Sequence, residues 1–336
     1  MADPEARHPA VAQARPADLV ADLAKAHIAA RCLHVVANTG VADAIGDSGA
    51  TSKQVAAEVG LNADALDRVL RLLAAHNIFA HAADGRYVHT AASRLLCSDH
   101  PQSLRSYVRM TGLPAFWDGF GDLEHSARAG RPVEDWAGLL QYFASHAEES
   151  AIFNAAMVAK SRAVLPAVVA AYDFSACGTI ADIGGGRGHL LAAILDRAPT
   201  THGVLFELPH VIADAVVGPR LTLAPGSFFD DALPVADTYL LMDLIHDWDD
   251  ADAARILAAV RRAAPARARL LIIETLVAEQ PGPHFGKTLD IIMLAVTGGK
   301  ERTRTQYARL LDVAGFGIER VLPTASQYSI LEASAR

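Results

Sequence analysis

Cysteine is scarce in this sequence. Its three cysteines, Cys32, Cys97 and Cys177, lie far apart and form no C-x-x-C pair. That excludes a zinc ribbon and fits a reduced, intracellular protein with no disulfide framework. Positive charge is also short: the formal net charge is −8. Phosphate binding needs a basic footprint, so nucleic acid is not an expected partner. No apolar run approaches the ~18 residues of a membrane span. The polar stretch Met1 to Pro16 lacks the apolar core of a signal peptide and reads as a disordered lead-in. A cytoplasmic protein with no membrane partner is expected. Aromatics make up only 6% of the 336 residues, yet they gather between Pro101 and Pro166. Aliphatic side chains are plentiful: 51% of residues are hydrophobic against 20% charged, enough for the cores of two domains.

Asp18 to Ile45 reads as one or two Ala-rich amphipathic helices. Thr51 or Ser52 caps a short helix closed by Gly60, and Asn62 caps the next, Ala63 to His76, with an apolar stripe of Leu66, Val69, Leu70, Leu72 and Leu73. Ile78–His81 and Arg86–His89 flank Asp84-Gly85, a hairpin turn signal. Two helices and a hairpin make a winged-helix pattern. A DNA-reading helix offers a basic or amide-rich face, whereas this one carries the balanced set Asp64, Asp67, Arg68 and Arg71. The module therefore reads as a protein–protein surface. The helical segment Leu19 to Ile45 has more apolar surface than so small a unit covers alone, which predicts a dimer interface.

From Tyr172 onward apolar runs alternate with helical patterns. Strands are predicted over Thr179–Ile183, Gly203–Glu207, Leu221–Ala224, Thr238–Asp243 and Leu270–Glu274, with a last pair near Gly317–Leu322 and Tyr328–Glu332. Near-continuous apolar strands suit a parallel sheet covered on both faces. The first strand runs into Asp182-Ile183-Gly184-Gly185-Gly186-Arg187-Gly188 and then a helix, a nucleotide-binding βα turn. The next strand ends in Glu207, placed to take a ribose diol. A dinucleotide loop reads G-x-G-x-x-G and seats a pyrophosphate on a helix N-terminus. The spacing here is D-x-G-x-G-x-G. An acid two residues before the glycines would repel a pyrophosphate but suits a cation, and S-adenosylmethionine is a sulfonium with no phosphate.

Four motifs in order make the chain resemble the S-adenosylmethionine-dependent O-methyltransferases of the plant caffeate/acetylserotonin type and their bacterial antibiotic-tailoring relatives. They are the loop Asp182–Gly188, Phe206-Glu207-Leu208-Pro209, His246-Asp247-Trp248-Asp249-Asp250, and Gly298-Gly299-Lys300-Glu301-Arg302-Thr303. The resemblance implies an α/β fold: a Rossmann-like class I methyltransferase sheet behind an N-terminal all-helical winged-helix dimerisation domain, the hairpin being its wing. It implies a lead-in over 1–17, the dimerisation domain over 18–100, a helical connector contributing to the substrate pocket over 101–170, and the catalytic domain over 171–336. The implied cofactor site comprises Asp182, Gly184, Gly186, Glu207, Ser227, Phe228, Met242 and Asp243. Ser227 stands where the family usually has an Asp for the adenine amino group, and Met242 where plant members often carry Lys. The product is S-adenosylhomocysteine, and the family needs no metal.

Methyl transfer requires an in-line nucleophile and a home for its proton. His246 follows the fourth strand at the edge where open α/β sheets hold ligands, and the resemblance makes it the general base. Taking a proton from a phenol of pKa ~10 onto a histidine of pKa ~6.5 is uphill by roughly 5 kcal/mol. The resemblance places Glu274 and Glu301 as flanking acids. Expected walls of an aromatic acceptor site are Phe116, Trp117, Phe143, Phe153, Met157, Ile292 and Met293, with Asp247 beside the base. The acids Asp247, Asp249, Asp250 and Asp252 invite a metal, but Asp249 or Asp250 capping the helix Ala251–Ala264 explains them. The implied protein is a homodimeric O-methyltransferase of a small aromatic or polyketide-like molecule. Alternatives are a relative with altered chemistry, hydroxylase or decarboxylase, and a winged-helix regulator.

Overall fold

A computed structural model describes residues 15–213 and 215–336. The chain divides into two compact units, one ending at Gly112 and the other running from Leu113 to Arg336.

In the first unit the leading helix Pro16–Thr39 stops where Gly40 turns left-handed (φ 76°), and Val41–Ile45 follows. Thr51 caps Ser52–Val59 in a reciprocal capping box with Gln54, and Asn62 caps Ala63–Ala75. Of the expected stripe, Leu66, Leu70 and Leu73 are buried. β1 (Phe79–His81) and β2 (Tyr87–His89) pair antiparallel, Phe79 opposite His89. The unit is therefore not all-helical: the Asp84-Gly85 turn, with Gly85 at φ 82°, makes a true wing. Helix Arg105–Thr111, expected in the connector, belongs to this unit. Leu19, Val20, Leu23 and Ile28 of the leading helix remain exposed.

The second unit opens with four helices, the last being Ala147–Ala171. That helix continues past Pro166 and is long and apolar enough to cross a membrane by length and composition, so the expected absence of such a segment does not hold. Its Ala-rich composition spreads the apolarity thinly. Here Val164, Val168 and Val169 join a core under the sheet.

The sheet comprises β3 (Thr179–Ile183), β4 (His202–Glu207), β5 (Leu221–Pro225), β6 (Thr238–Met242), β7 (Arg269–Glu274), β8 (Phe316–Pro323) and β9 (Ser329–Ala335). Their order is β5-β4-β3-β6-β7-β9-β8, parallel from β5 to β7. β9 runs antiparallel to both β7 and β8. Alternate residues feed two cores, Ala181 and Ile183 on one face and Ile180 on the other. Strand order reverses at β3, which opens a crevice at the carboxyl ends of β3 and β6. The sequence expectation carried the fourth strand through Asp243. It stops at Met242 because Asp243 adopts a left-handed φ of 49°.

Candidate active site

The glycine loop leaves β3 with Gly184, Gly186 and Gly188 at φ 67°, 58° and 77°, a region glycine enters without steric cost. It presses on its surroundings. A Cβ on Gly184 would meet Leu244 at 2.9 Å, and one on Gly185 would meet the Asp182 carboxylate at 2.4 Å. Asp182 is buried, and neither of its carboxylate oxygens has a hydrogen-bond partner. Burial, with the charge of Glu207 behind it, pushes its pKa up to about 7. At the end of β4, Glu207 accepts from the Gly186 N–H at 2.9 Å and from the Leu208 N–H at 2.7 Å.

Beyond β5, the Ser227 hydroxyl donates to Asp230 at 2.9 Å and accepts from the Phe229 N–H at 3.2 Å, closing a tight turn. Phe228 meets Trp248 edge-on, ring centroids 5.9 Å apart. Met242 is half-buried at the end of β6.

After Asp243 a single helical turn, Ile245–Asp247, carries His246. Two acids fix it in different ways. Glu301 faces the ring, its Oε1 2.6 Å from Nδ1, and Asp290 accepts from the Glu301 N–H at 3.0 Å. Glu274 instead grips the backbone. Its Oε1 accepts from the N–H groups of Leu244, Ile245 and His246 at 3.3, 2.7 and 3.1 Å, while the Tyr307 hydroxyl holds Oε2. One acid thus orients the imidazole and the other holds the turn beneath it.

The second ring nitrogen, Nε2, lies 3.5 Å from Asp247 and 3.8 Å from Asp243. Burial lowers the His246 pKa, but Asp247, Glu301, Glu274 and Asp243 together outweigh it and lift it to about 10. Burial likewise raises Asp247 to about 6 and Glu274 to about 7, against the pull of His246.

Residues 120–317 match the O-methyltransferase domain and residues 21–99 the O-methyltransferase dimerisation domain. This chain belongs to the O-methyltransferase family. Phenazine O-methyltransferase of Lysobacter antibioticus is 39% identical over 311 residues, 90% of this chain and 91% of that one. The methyltransferase of calicheamicin biosynthesis, solved in its S-adenosylhomocysteine-bound form, superposes with a TM-score of 0.86 at 34% identity, covering 95% of this chain and 98% of that one. A neocarzinostatin-biosynthesis O-methyltransferase, solved with S-adenosylmethionine and 2-hydroxy-5-methyl naphthoic acid, gives 0.78 at 31% identity over 97% and 100%.

This O-methyltransferase brings only some of the expected acceptor walls together. Phe143 and Phe153 pack with centroids 4.8 Å apart and rings tilted by 32°, and Trp136 joins them at 6.2 Å from Phe153. Phe116 and Met293 are core residues, while Trp117 and Met157 are half-buried. Ile292 lines a separate open groove of about 760 Å³ with Phe120, His284 and Phe285. Neither that groove nor a second one of about 360 Å³ beside Gly119 and Tyr142 includes His246. Of the acids that invited a metal, Asp249 caps helix Asp250–Ala263, Asp250 pairs with Arg302 and Lys300, and Asp252 pairs with Arg255. A different trio, Asp43, Cys97 and Asp99, converges in the first unit, where Asp43 is already held by Arg105 and Ser98.

Two residues that sequence reasoning gave no role adjoin the turn that carries His246. Arg302, fully buried, reaches the carbonyls of Ile245, Trp248 and Lys300 and the carboxylate of Asp250. Lys160, on helix Ala147–Ala171, pairs with Asp243 at 3.0 Å. The signal for Arg302 was its place beside Glu301 in the last motif. Nothing in an Ala-rich helix signals Lys160.

Proposed function

We propose that this O-methyltransferase is a cytoplasmic enzyme that methylates a hydroxyl of a small aromatic or polyketide-like molecule, with S-adenosylmethionine as donor, His246 as general base, and no metal. The observation that carries this reading is the buried His246–Glu301 pair, whose second ring nitrogen, Nε2, is turned away from Glu301 toward Asp247 and Asp243 at the end of β6. The donor supplies an electrophilic methyl on a sulfonium. The loop suits it: Asp182 is a buried carboxylate with no hydrogen-bond partner, a costly state that a nearby sulfonium charge would relieve. Glu207, at the strand end, would hold the ribose diol, and Ser227 and Phe228 would take the adenine. Glu301 keeps a proton on Nδ1 so that Nε2 faces the acceptor, as an orienting acid does for a base. The Phe143–Phe153 pair offers an aromatic wall of the kind that grips flat rings without fixing their substituents.

The decisive experiment incubates the protein with isotopically labelled S-adenosylmethionine and a panel of phenols, naphthols and hydroxyquinones, read by mass spectrometry. Transfer of the labelled methyl to oxygen is expected; hydroxylated or decarboxylated products would replace this reading with altered chemistry.

Glu207 yields a sharper expectation. Glu207→Ala should weaken S-adenosylmethionine and S-adenosylhomocysteine by the same factor, because both carry the ribose. Loss of a charge-assisted hydrogen bond costs about 1.5–3 kcal/mol. Calorimetric affinities equal to the wild type for both ligands would remove Glu207 from the site.

A further inference from the structure

The crevice holds an ion pair that proton abstraction does not use. Asp243 and Lys160 lie 3.0 Å apart with their side chains 27% and 23% exposed, so both still reach solvent. They are backed by Tyr328, which is 2% exposed and whose hydroxyl donates to both Asp243 oxygens at 2.8 and 3.0 Å. The Lys160 ammonium sits 5.6 Å from the centre of the Tyr328 ring. An ammonium has three N–H donors, and Asp243 and the Tyr328 hydroxyl account for two. The backbone of Asp243 is held left-handed, a conformation that persists only where the surroundings enforce it. This is a built, two-signed site and not a loose surface pair.

Its location is as informative as its charge. Asp182 on β3 sits opposite Leu240 on β6, so Asp243 lies three residues further toward the crevice. Its neighbour Leu244 packs on Gly184, the first glycine of the loop. On its other side Asp243 is 3.8 Å from His246 Nε2. The pair therefore stands between the glycine loop and the base. A donor with its ribose on Glu207 and its methyl group facing His246 must place the remaining substituent of its sulfur nearby. That substituent is an α-amino acid, a zwitterion.

We infer that Lys160 and Asp243 together dock the amino-acid tail of the methyl donor, Lys160 donating to its carboxylate and Asp243 accepting from its ammonium. This rests on the donor being S-adenosylmethionine. Lys160 is then a binding residue contributed by a helix outside the sheet, delivered by helical spacing: Met157, Lys160 and Val164 share one face. The tail extends the ion pair into a four-charge cluster with alternating signs.

The test crosses ligand with protein. Affinities are measured by calorimetry for S-adenosylhomocysteine and for its decarboxylated analogue, with the wild type, Lys160→Met, Lys160→Arg and the paired neutral variant Lys160→Gln/Asp243→Asn. The wild type should prefer the carboxylated ligand about tenfold or more, the size of a charge-assisted hydrogen bond. Lys160→Met should bring that preference to within about twofold while binding the decarboxylated ligand much as the wild type does. Lys160→Arg should restore part of the preference. The paired variant leaves no charge unpartnered, so it keeps the test open if Lys160→Met folds poorly; it too should lose the preference. A full preference retained without Lys160, or none in the wild type, overturns the inference. Failure of the wild type to bind S-adenosylhomocysteine at all would instead overturn the donor reading beneath it.

Discussion

Replacing His246 by alanine or glutamine is expected to cut turnover at least ~100-fold while leaving S-adenosylhomocysteine affinity near that of the wild type, since general-base catalysis contributes about 10²–10⁴. The pH dependence makes the expectation specific. With His246 raised to about 10, the base and a phenol of pKa ~10 are closely matched, which removes most of the uphill transfer that an ordinary histidine would face. The reactive pair shares one proton, either phenol with neutral imidazole or phenolate with imidazolium. Its population rises with pH until the more acidic partner has titrated. An unperturbed histidine would give a plateau above its ordinary pKa of about 6.5, whereas the raised value predicts that kcat/KM for the acceptor keeps climbing above pH 7. Asp247 and Glu301 both raise the histidine. Glu301→Gln should therefore move the alkaline limb to lower pH as well as slow the reaction. The same shift has a stability consequence: because the folded-state value lies above the unfolded one, the stabilisation from His246 is complete below about pH 6.5 and lost as pH rises toward 10. Turnover within a few-fold of wild type in His246→Gln, measured at saturating donor, would show that the proton leaves by another route.

Much of this architecture was legible because the sheet is buried on both faces. Strands such as Thr179–Ile183 and Arg269–Glu274 are apolar almost throughout and carry an acid at or next to the last residue, so hydrophobic runs mark their positions and the acids mark the crevice edge. Polar groups at a strand end are cheap only where a ligand or a backbone turn satisfies them; backbone N–H groups satisfy Glu207 and Glu274, while Asp182 has no hydrogen-bond partner. What it leaves open is which partner each acid takes. Glu274 and Glu301 carry the same chemistry in sequence, and only the fold sends one to the backbone of residues 244–246 and the other to the ring. Lys160 lay further out of reach because its partner, Asp243, is 83 residues away in sequence and is brought to it only by the tertiary fold. The acceptor walls were least legible, because Phe116 and Met293 are apolar at positions where core packing and ligand contact call for the same residue type.

The second large effect is expected at Arg302, which touches no reacting atom. Its guanidinium is fully buried and satisfies the carbonyls of Ile245, Trp248 and Lys300, the first two flanking His246, while its Nε reaches Asp250 at the start of the following helix. Lys300 also returns its own N–H to the carbonyl of His246 at 2.7 Å. The turn bearing the base is thus clamped from below by Glu274 and from the side by Arg302. Arg302→Met removes four hydrogen bonds made by a charged group. At about 1.5–3 kcal/mol for such bonds, discounted for water entry and for the exposure of Asp250, a loss of about 3 kcal/mol or more is expected. At about 2.1 cal/mol/K of unfolding entropy per residue, that corresponds for 336 residues to a fall in Tm of about 4 °C. Arg302→Lys should recover little, because an ammonium lacks the planar fork that reaches several acceptors at once. A purely structural role would lower stability and leave the surviving folded enzyme fully active. A positioning role predicts more: below the transition, kcat falls at least tenfold with donor affinity preserved, and the alkaline limb of the pH profile moves because His246 no longer sits squarely on Glu301. Thermal unfolding and steady-state rates on the same preparation separate the two. Unchanged kcat in the folded variant would reduce Arg302 to a stability element and leave Glu274 alone to hold the turn.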